Sequence, residues 1–199
     1  MMPSKYDDML YGDEMDNLIW GGRGDDTLKG MGGDDTLIGG PGADALDGGD
    51  GIDTADYSQT KNRGVNVYLD RADTEQPDTG SIGDDAHGDD FSSIENVIGS
   101  KFNDRIVGDG GMNSIMGGQG NDSISGNAGA DTLMGGMGHD SLHGGAADDE
   151  VWGGMGQDML WGCTGDDKVV GNMGDDTIWG GGGLDDEGME KSGSGKDTL

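Results

Sequence analysis

The chain has 199 residues, of which 41 are acidic and 11 basic, for a formal net charge of −30. A surface of that sign repels nucleic-acid phosphates and anionic membranes, and it attracts cations. Only 31% of the residues are hydrophobic and 5% aromatic, a composition close to that of a disordered polyanion unless some order is imposed on it. Cys163 is the single cysteine, so no intrachain disulfide staples the fold. No apolar run reaches the roughly 18 residues of a spanning helix. The N-terminal stretch MMPSKYDDML has no apolar core and does not read as a cleavable signal peptide.

The order comes from glycine. Its 45 copies are periodic, on a nine-residue beat read most cleanly at GGRGDDTLK, Gly21 to Lys29. The pattern is Gly-Gly-x-Gly-x-Asp-x-U-x, with U a large aliphatic residue. Units this short cannot bury a core singly, so they must stack. The first array, over residues 3–56, carries its position-six residue at Asp8, Asn17, Asp26, Asp35, Asp44 and Asp53. The aliphatic partner two places later runs from Leu10 through Ile19, Leu28, Leu37 and Leu46 to the weaker Ala55.

Residues 57–98 break the beat. Gly64 to Leu69, GVNVYL, alternates apolar and polar residues and predicts a strand. Asp70 to Asp90 is polar, holds Pro77, and predicts a loop. Phe91 to Gly99, FSSIENVIG, predicts a further strand or rung; a plain surface insertion is the alternative. The second array, over residues 99–188, places position six at Asp104, Asn113, Asp122, Asp131, Asp140, Asp149, Asp158, Asp167, Asp176 and Asp185. Its aliphatic column runs from Ile106 to Ile178 and ends at Glu187. Residues 189–199 shift phase and restart the motif at Gly193, a pattern expected of a fragment of a longer protein or a degenerate gene end.

One unit can be built physically. The Gly-Gly-x-Gly portion turns tightly, and x-U-x forms a short strand with U inward. Two units make a circuit of 18 residues, so strands from every second unit stack in parallel at about 4.8 Å. Position-six carboxylates 18 apart then lie above one another. Stacked charges repel, and the aliphatic residue of each unit contributes only about 1.5–3 kcal/mol by burial. A cation between the carboxylates resolves the repulsion. Carboxylates together with turn carbonyls make an all-oxygen cage suited to Ca²⁺, and less suited to Mg²⁺ with its tighter octahedron. The repeat supplies no Cys or His for zinc. The expectation is an all-β parallel roll that is disordered without Ca²⁺ and folded with it.

The repeats GGRGDDTLK, GGQGNDSIS and GGMGHDSLH resemble those of the RTX, or hemolysin-type calcium-binding, family. DTADYS, GVNVYL and SIENVIGSKFND resemble the segment that interrupts such arrays in serralysin-like proteases and mannuronan C5-epimerases. The resemblance implies a parallel β-roll with Ca²⁺ in its turns. Carried over by position, the implied ligand pairs are Asp26 with Asp44 and Asp35 with Asp53. In the second array they are Asp104, Asp122, Asp140, Asp158 and Asp176 taken in successive pairs, and Asp131, Asp149, Asp167 and Asp185 likewise. Asn17 and Asn113 lack the charge. Met15, Phe102 and Ala147 replace the third turn glycine, so those turns are expected to bind weakly or to be strained. The resemblance further implies a secreted, extracellular protein exported by a type I route. Two alternatives stand beside the calcium module: the non-catalytic end of a secreted protease, lipase or epimerase, and a surface adhesin with a glycan or cell-surface partner.

No catalytic constellation is legible. His139 and His143 are four apart but fall in a turn and a strand, with no H-E-x-x-H. Cys163 occupies a turn glycine position with no base in view. Trp20, Trp152, Trp161 and Trp179 all occupy position nine, where packing over the sheet is weighed against an exposed strip for glycan stacking. Acidic residues at position five, such as Asp25 and Asp175, recur too often for an active site and read as solvated charge. The 13 methionines, mostly at variable positions, suggest no function.

Overall fold

The computed structural model describes residues 4–70 and 85–181. In chain order the strands are β1 (Met9–Tyr11), β2 (Leu18–Trp20), β3 (Thr27–Gly32), β4 (Thr36–Ile38), β5 (Ala45–Asp50), β6 (Thr54–Asp56), β7 (Asn66–Tyr68), β8 (Asp90–Ser92) and β9 (Asn96–Ile98). They continue as β10 (Arg105–Val107), β11 (Ser114–Gln119), β12 (Ser123–Ala128), β13 (Thr132–Met137), β14 (Ser141–Ala146), β15 (Glu150–Met155), β16 (Met159–Thr164), β17 (Lys168–Met173) and β18 (Thr177–Gly181). Each repeat folds as its pattern requires: the x-U-x triplet is extended, and glycines absorb the left-handed backbone of the turn. Every pairing is parallel, and within each array partners are 18 residues apart, as in Leu28 with Leu46 and Leu142 with Leu160. This is the expected all-β parallel roll.

Successive strands alternate between two faces. One face is a single eight-stranded sheet in the order β2-β4-β6-β9-β11-β13-β15-β17. The other holds a four-stranded sheet, β1-β3-β5-β8, and a six-stranded sheet, β7-β10-β12-β14-β16-β18. Between the faces runs one column of buried aliphatics, from Ile19 and Leu28 through Ile106 and Leu133 to Ile178. Ala55, the weak member by sequence, is fully buried in it.

The segment between the arrays is built into this core. It supplies β7, β8 and β9, and buries Tyr57, Val65, Val67, Leu69, Ile94 and Val97. Its strands are also out of sequence order. β8 adds to β5, while the earlier β7 lies farther along the stack against β10. Only β9 joins its two neighbours directly, bridging β6 to β11. The eight-stranded face is therefore continuous across the insert, and the opposite face divides there. Most of the predicted loop from Asp70 to Asp90, together with Asp185, Glu187 and residues 189–199, lies outside the described residues.

Candidate metal centre

Each position-six side chain stands just before its strand, where the turn enters the sheet. In this place it is buried: Asp26, Asp35, Asp44, Asp53, Asp104, Asp122, Asp131, Asp140, Asp149, Asp158 and Asp176 are at most 4% exposed, and Asp167 is half-buried. One oxygen of each carboxylate has a fixed task. Apart from Asp104, whose Oδ1 takes the N–H of Val65 at 2.7 Å, the backbone N–H of the position-six residue one circuit earlier donates to Oδ1, as from Asp26 to Asp44, Asp35 to Asp53, Asp122 to Asp140 and Asp131 to Asp149, at 2.8–2.9 Å. The same bond joins Asp104 to Asp122, Asp140 to Asp158, Asp149 to Asp167 and Asp158 to Asp176. Every sequence-paired aspartate inside the described residues is thus brought onto an adjacent circuit.

The second oxygen is different. Oδ2 of Asp26, Asp35, Asp44, Asp53, Asp122, Asp131, Asp140, Asp149 and Asp158 is buried and accepts no hydrogen bond. Such an atom carries a desolvation cost of about 1–3 kcal/mol, more when charged. It lies close against the first glycine of its own unit, where a Cβ would clash with it. A Cβ built on Gly126 would strike Asp131 Oδ2 and the carbonyl oxygen of Gly144; one on Gly135 would strike Asp140 Oδ2 and the carbonyl of Gly153. The same trio recurs at Gly117 with Asp122 and Gly135, and at Gly144 with Asp149 and Gly162. A carboxylate oxygen of one circuit and a glycine carbonyl of the next therefore lie side by side against each of these glycines.

Electrostatics follow from this burial. Loss of water, with neighbouring carboxylates adding to it and the backbone N–H bond opposing it, raises Asp44 and Asp122 to about 7. Asp131, Asp149 and Asp158 are raised to about 6 by the same dominant cause. Asp26, Asp53, Asp140 and Asp167 are also raised, again chiefly by burial. Carboxyls so placed resist ionising unless a cation joins them.

Compared with known families, the chain matches the RTX calcium-binding nonapeptide repeat (four copies) over residues 4–36, 20–55, 89–124, 107–142, 125–160, 134–167 and 158–186. The chain belongs to this RTX family. Its repeats bind Ca²⁺, in multiple sites along the roll. Curated proteins give no match to the chain. Among the described residues no group of three or more His, Cys, Asp or Glu gathers in one place. The donor set is instead orphaned carboxylate oxygens with glycine carbonyls, all hard oxygen, which fits Ca²⁺ and not zinc.

The RTX ladder also uses residues that the nine-residue beat does not reveal. Asp89 receives the N–H of Asp44 at 2.8 Å, and Glu95 that of Asp53 at 2.9 Å. Both belong to the insert and both precede a core residue by two places, Phe91 and Val97. The acid-x-apolar spacing is their signal; the missing glycine turn and a six-residue step hide it. Where the four- and six-stranded sheets part, the carboxylates are sealed by protein. Tyr57 donates its phenol to Asp89 Oδ2 at 2.7 Å, and Ser100 donates both its N–H and its hydroxyl to Asp104. Asp104 therefore differs from the open sites of its array.

The departures from the repeat separate into two kinds. Ala147 takes a left-handed φ of 87° and Cys163, at the second turn position, one of 80°. Met15 and Phe102 avoid that region, so their turns follow another path. Asn113 keeps its side chain within protein, accepting from Asp109 N–H at 2.9 Å and donating to the Glu95 carbonyl at 3.1 Å. Position five is exposed, as its reading as solvated charge expects, and it also accepts backbone N–H bonds. Asp25 accepts from Ala43 N–H, Asp34 from Ile52, Asn121 from His139, and His139 Nδ1 from Gln157. His139 thereby serves as one more acceptor in a structural ladder.

Proposed function

We propose that this chain is a calcium-assembled module of an exported protein, held unfolded where Ca²⁺ is scarce and folding where it is plentiful. The observation that carries this reading is the row of buried carboxylate oxygens without a hydrogen-bond donor, most of them beside a glycine carbonyl of the next circuit, as at Asp122, Asp131, Asp140 and Asp149. The ligands we assign are Asp26, Asp35, Asp44 and Asp53 in the first array and Asp122, Asp131, Asp140, Asp149, Asp158, Asp167 and Asp176 in the second. Asp104, closed by Ser100, and Asp185 complete the set at lower occupancy. Asp89 and Glu95 carry the ladders through the insert. Residues 3–56 and 99–188 act as two calcium-bearing arrays, joined by 57–98. Within a longer exported enzyme the roll is the non-catalytic part.

Calcium here contributes folding energy directly, since the cage does not exist in the unfolded chain. The test is far-UV circular dichroism in EDTA and then in millimolar Ca²⁺, with calorimetric stoichiometry. A β spectrum that appears on calcium addition, with several ions bound per chain, is the expected result. A spectrum indifferent to Ca²⁺, or binding of none, rejects the proposal.

A further inference from the structure

A cavity of about 350 Å³ lies against the outer surface of the eight-stranded sheet, and none of the paired position-six carboxylates lines it. Its volume falls within the range of small-molecule sites. Trp20 and Ile38, register neighbours on β2 and β4, form the apolar part of its lining. The turns at Arg23 and Pro41 lie on one side, and the start of the insert, from Asp56 to Asn62, supplies the rest. That wall is held in place: Thr60, buried, donates to Asp85 at 3.1 Å, and Tyr57 donates to Asp89 beneath it.

The four tryptophans are not equivalent. Trp161 and Trp179 stack on each other at 4.5 Å, and Trp161 on His143 at 4.1 Å, all within 8° of parallel. Trp161 is thus stacked between two rings and Trp179 gives one face to it, so most of the ring surface in this ladder is already covered. Trp152 carries the Lys168 ammonium over its ring at 5.1 Å. Trp20 has neither a ring nor a cation partner among the described residues, is 43% exposed, and lines the cavity. Around it the Arg23 and Lys61 head groups and the Asn62 amide also have no hydrogen-bond or ion-pair partner among the described residues.

We infer that this cavity is a binding site for a neutral saccharide, with a pyranose face on the Trp20 indole and hydroxyls reaching Asn62, Arg23 and Asp56. An indole flanked by donors and acceptors of both signs matches a ring with one apolar face and a hydroxylated rim. The two cations are balanced by Asp56 and Asp85, and the chain around them is strongly negative, which disfavours an acidic ligand. The insert makes the wall, so this site gives the interruption of the arrays a binding role of its own.

The experiment is a glycan array probed with the labelled full chain in millimolar Ca²⁺, followed by calorimetry on the best neutral oligosaccharide. Wild-type protein is expected to retain neutral glycans. Trp20→Ala is expected to weaken binding about tenfold or more and Asn62→Ala several-fold, while Trp161→Ala leaves it unchanged. Circular dichroism of each variant in Ca²⁺ reports the roll separately, so a failed fold is not mistaken for a failed site. Should Trp20→Ala not fold, the Trp20 indole N–H resonance, assigned through Trp20→Phe, must move on addition of the saccharide. Retention of no glycan or of acidic glycans alone, a Trp20→Ala protein that binds like wild type, or an unmoved Trp20 resonance overturns the inference.

Discussion

Replacing Asp122 by Asn should change stability in opposite directions with and without calcium. In the folded chain Asp122 Oδ1 accepts the N–H of Asp104 at 2.8 Å, while Oδ2 has no donor and lies beside the Gly135 carbonyl. An amide of the same shape keeps the first bond and turns the orphaned acceptor into a donor aimed at that carbonyl. Burial holds the carboxyl at about 7 against an ordinary value of 3.8. Ionising it inside the ion-free roll therefore costs roughly three units at about 1.36 kcal/mol each, or about 4 kcal/mol at pH 8. The amide variant would avoid that cost. In calcium the sign reverses, because the variant loses a charged ligand; a site held at a hundred times its dissociation constant contributes about 2.7 kcal/mol. The assay is urea unfolding followed by circular dichroism at pH 8, in EDTA and in millimolar Ca²⁺. Asp122→Asn should raise the midpoint, or the folded fraction, in EDTA and lower the midpoint in Ca²⁺. Equal destabilisation in both conditions would refute the argument, because it would mean that Oδ2 is already satisfied without an ion.

Acid should partly replace calcium. The folded chain holds Asp44 and Asp122 near 7 and Asp131, Asp149 and Asp158 near 6, all above their unfolded value. It therefore binds more protons than the unfolded chain between about pH 4 and 7, so ion-free stability is full below about pH 4 and is lost as pH rises through 6 to 7. Circular dichroism in EDTA should show β structure at pH 5 and lose it by pH 8; the reverse trend contradicts the burial argument. Gly144→Ala drives a methyl against Asp149 Oδ2 and the Gly162 carbonyl, and should lower the calcium stoichiometry and cost about 1–3 kcal/mol in the calcium-loaded roll, read by calorimetry and melting. Cys163→Gly relieves a φ of 80° worth about 1–2 kcal/mol, and should raise the calcium-loaded midpoint by a few degrees in a thermal melt.

The regular part of the fold was legible because the beat is local. Nine residues specify a turn and a strand, and parallel stacking then fixes every partner at 18 residues, as Leu28 with Leu46 and Asp140 with Asp158 show. Asp89 and Glu95 were missed because the insert keeps the acid-x-apolar spacing and discards both the glycines and the nine-residue step. The placement of β7 beyond β8 depends on a contact 39 residues away, between Val67 and Ile106, which no local pattern encodes. Position five reads as solvated charge because its composition is that of a solvated face. Its carboxylates are exposed, yet they cap N–H groups that the turn leaves without a strand partner, as Asp25 does for Ala43. The tryptophan ladder fits the reading of packing over the sheet, and only the folded structure shows that Trp20 is left out of it.

The two acidic positions work in opposite directions along the roll, and this explains why charge and register cannot be separated. Position five accepts an N–H from the circuit that follows, as Asp34 does from Ile52; position six accepts one from the circuit before, as Asp53 does from Asp35. Each turn is thus clamped from both sides, and a shift of phase would break both clamps together. A neutral acceptor can perform the clamping alone. Asn103 and Asn121 show this at position five, accepting the N–H of Asn121 and of His139, whereas Asn113 at position six accepts only within its own unit, from Asp109, and donates to the Glu95 carbonyl. A carboxylate at the same place does more, because one oxygen sets the register while the other is left for a cation. The repulsion that destabilises the empty roll therefore comes from the groups that align it. Calcium dependence follows from using Asp, not Asn, at position six, and its strength along the chain should track where Asp was kept.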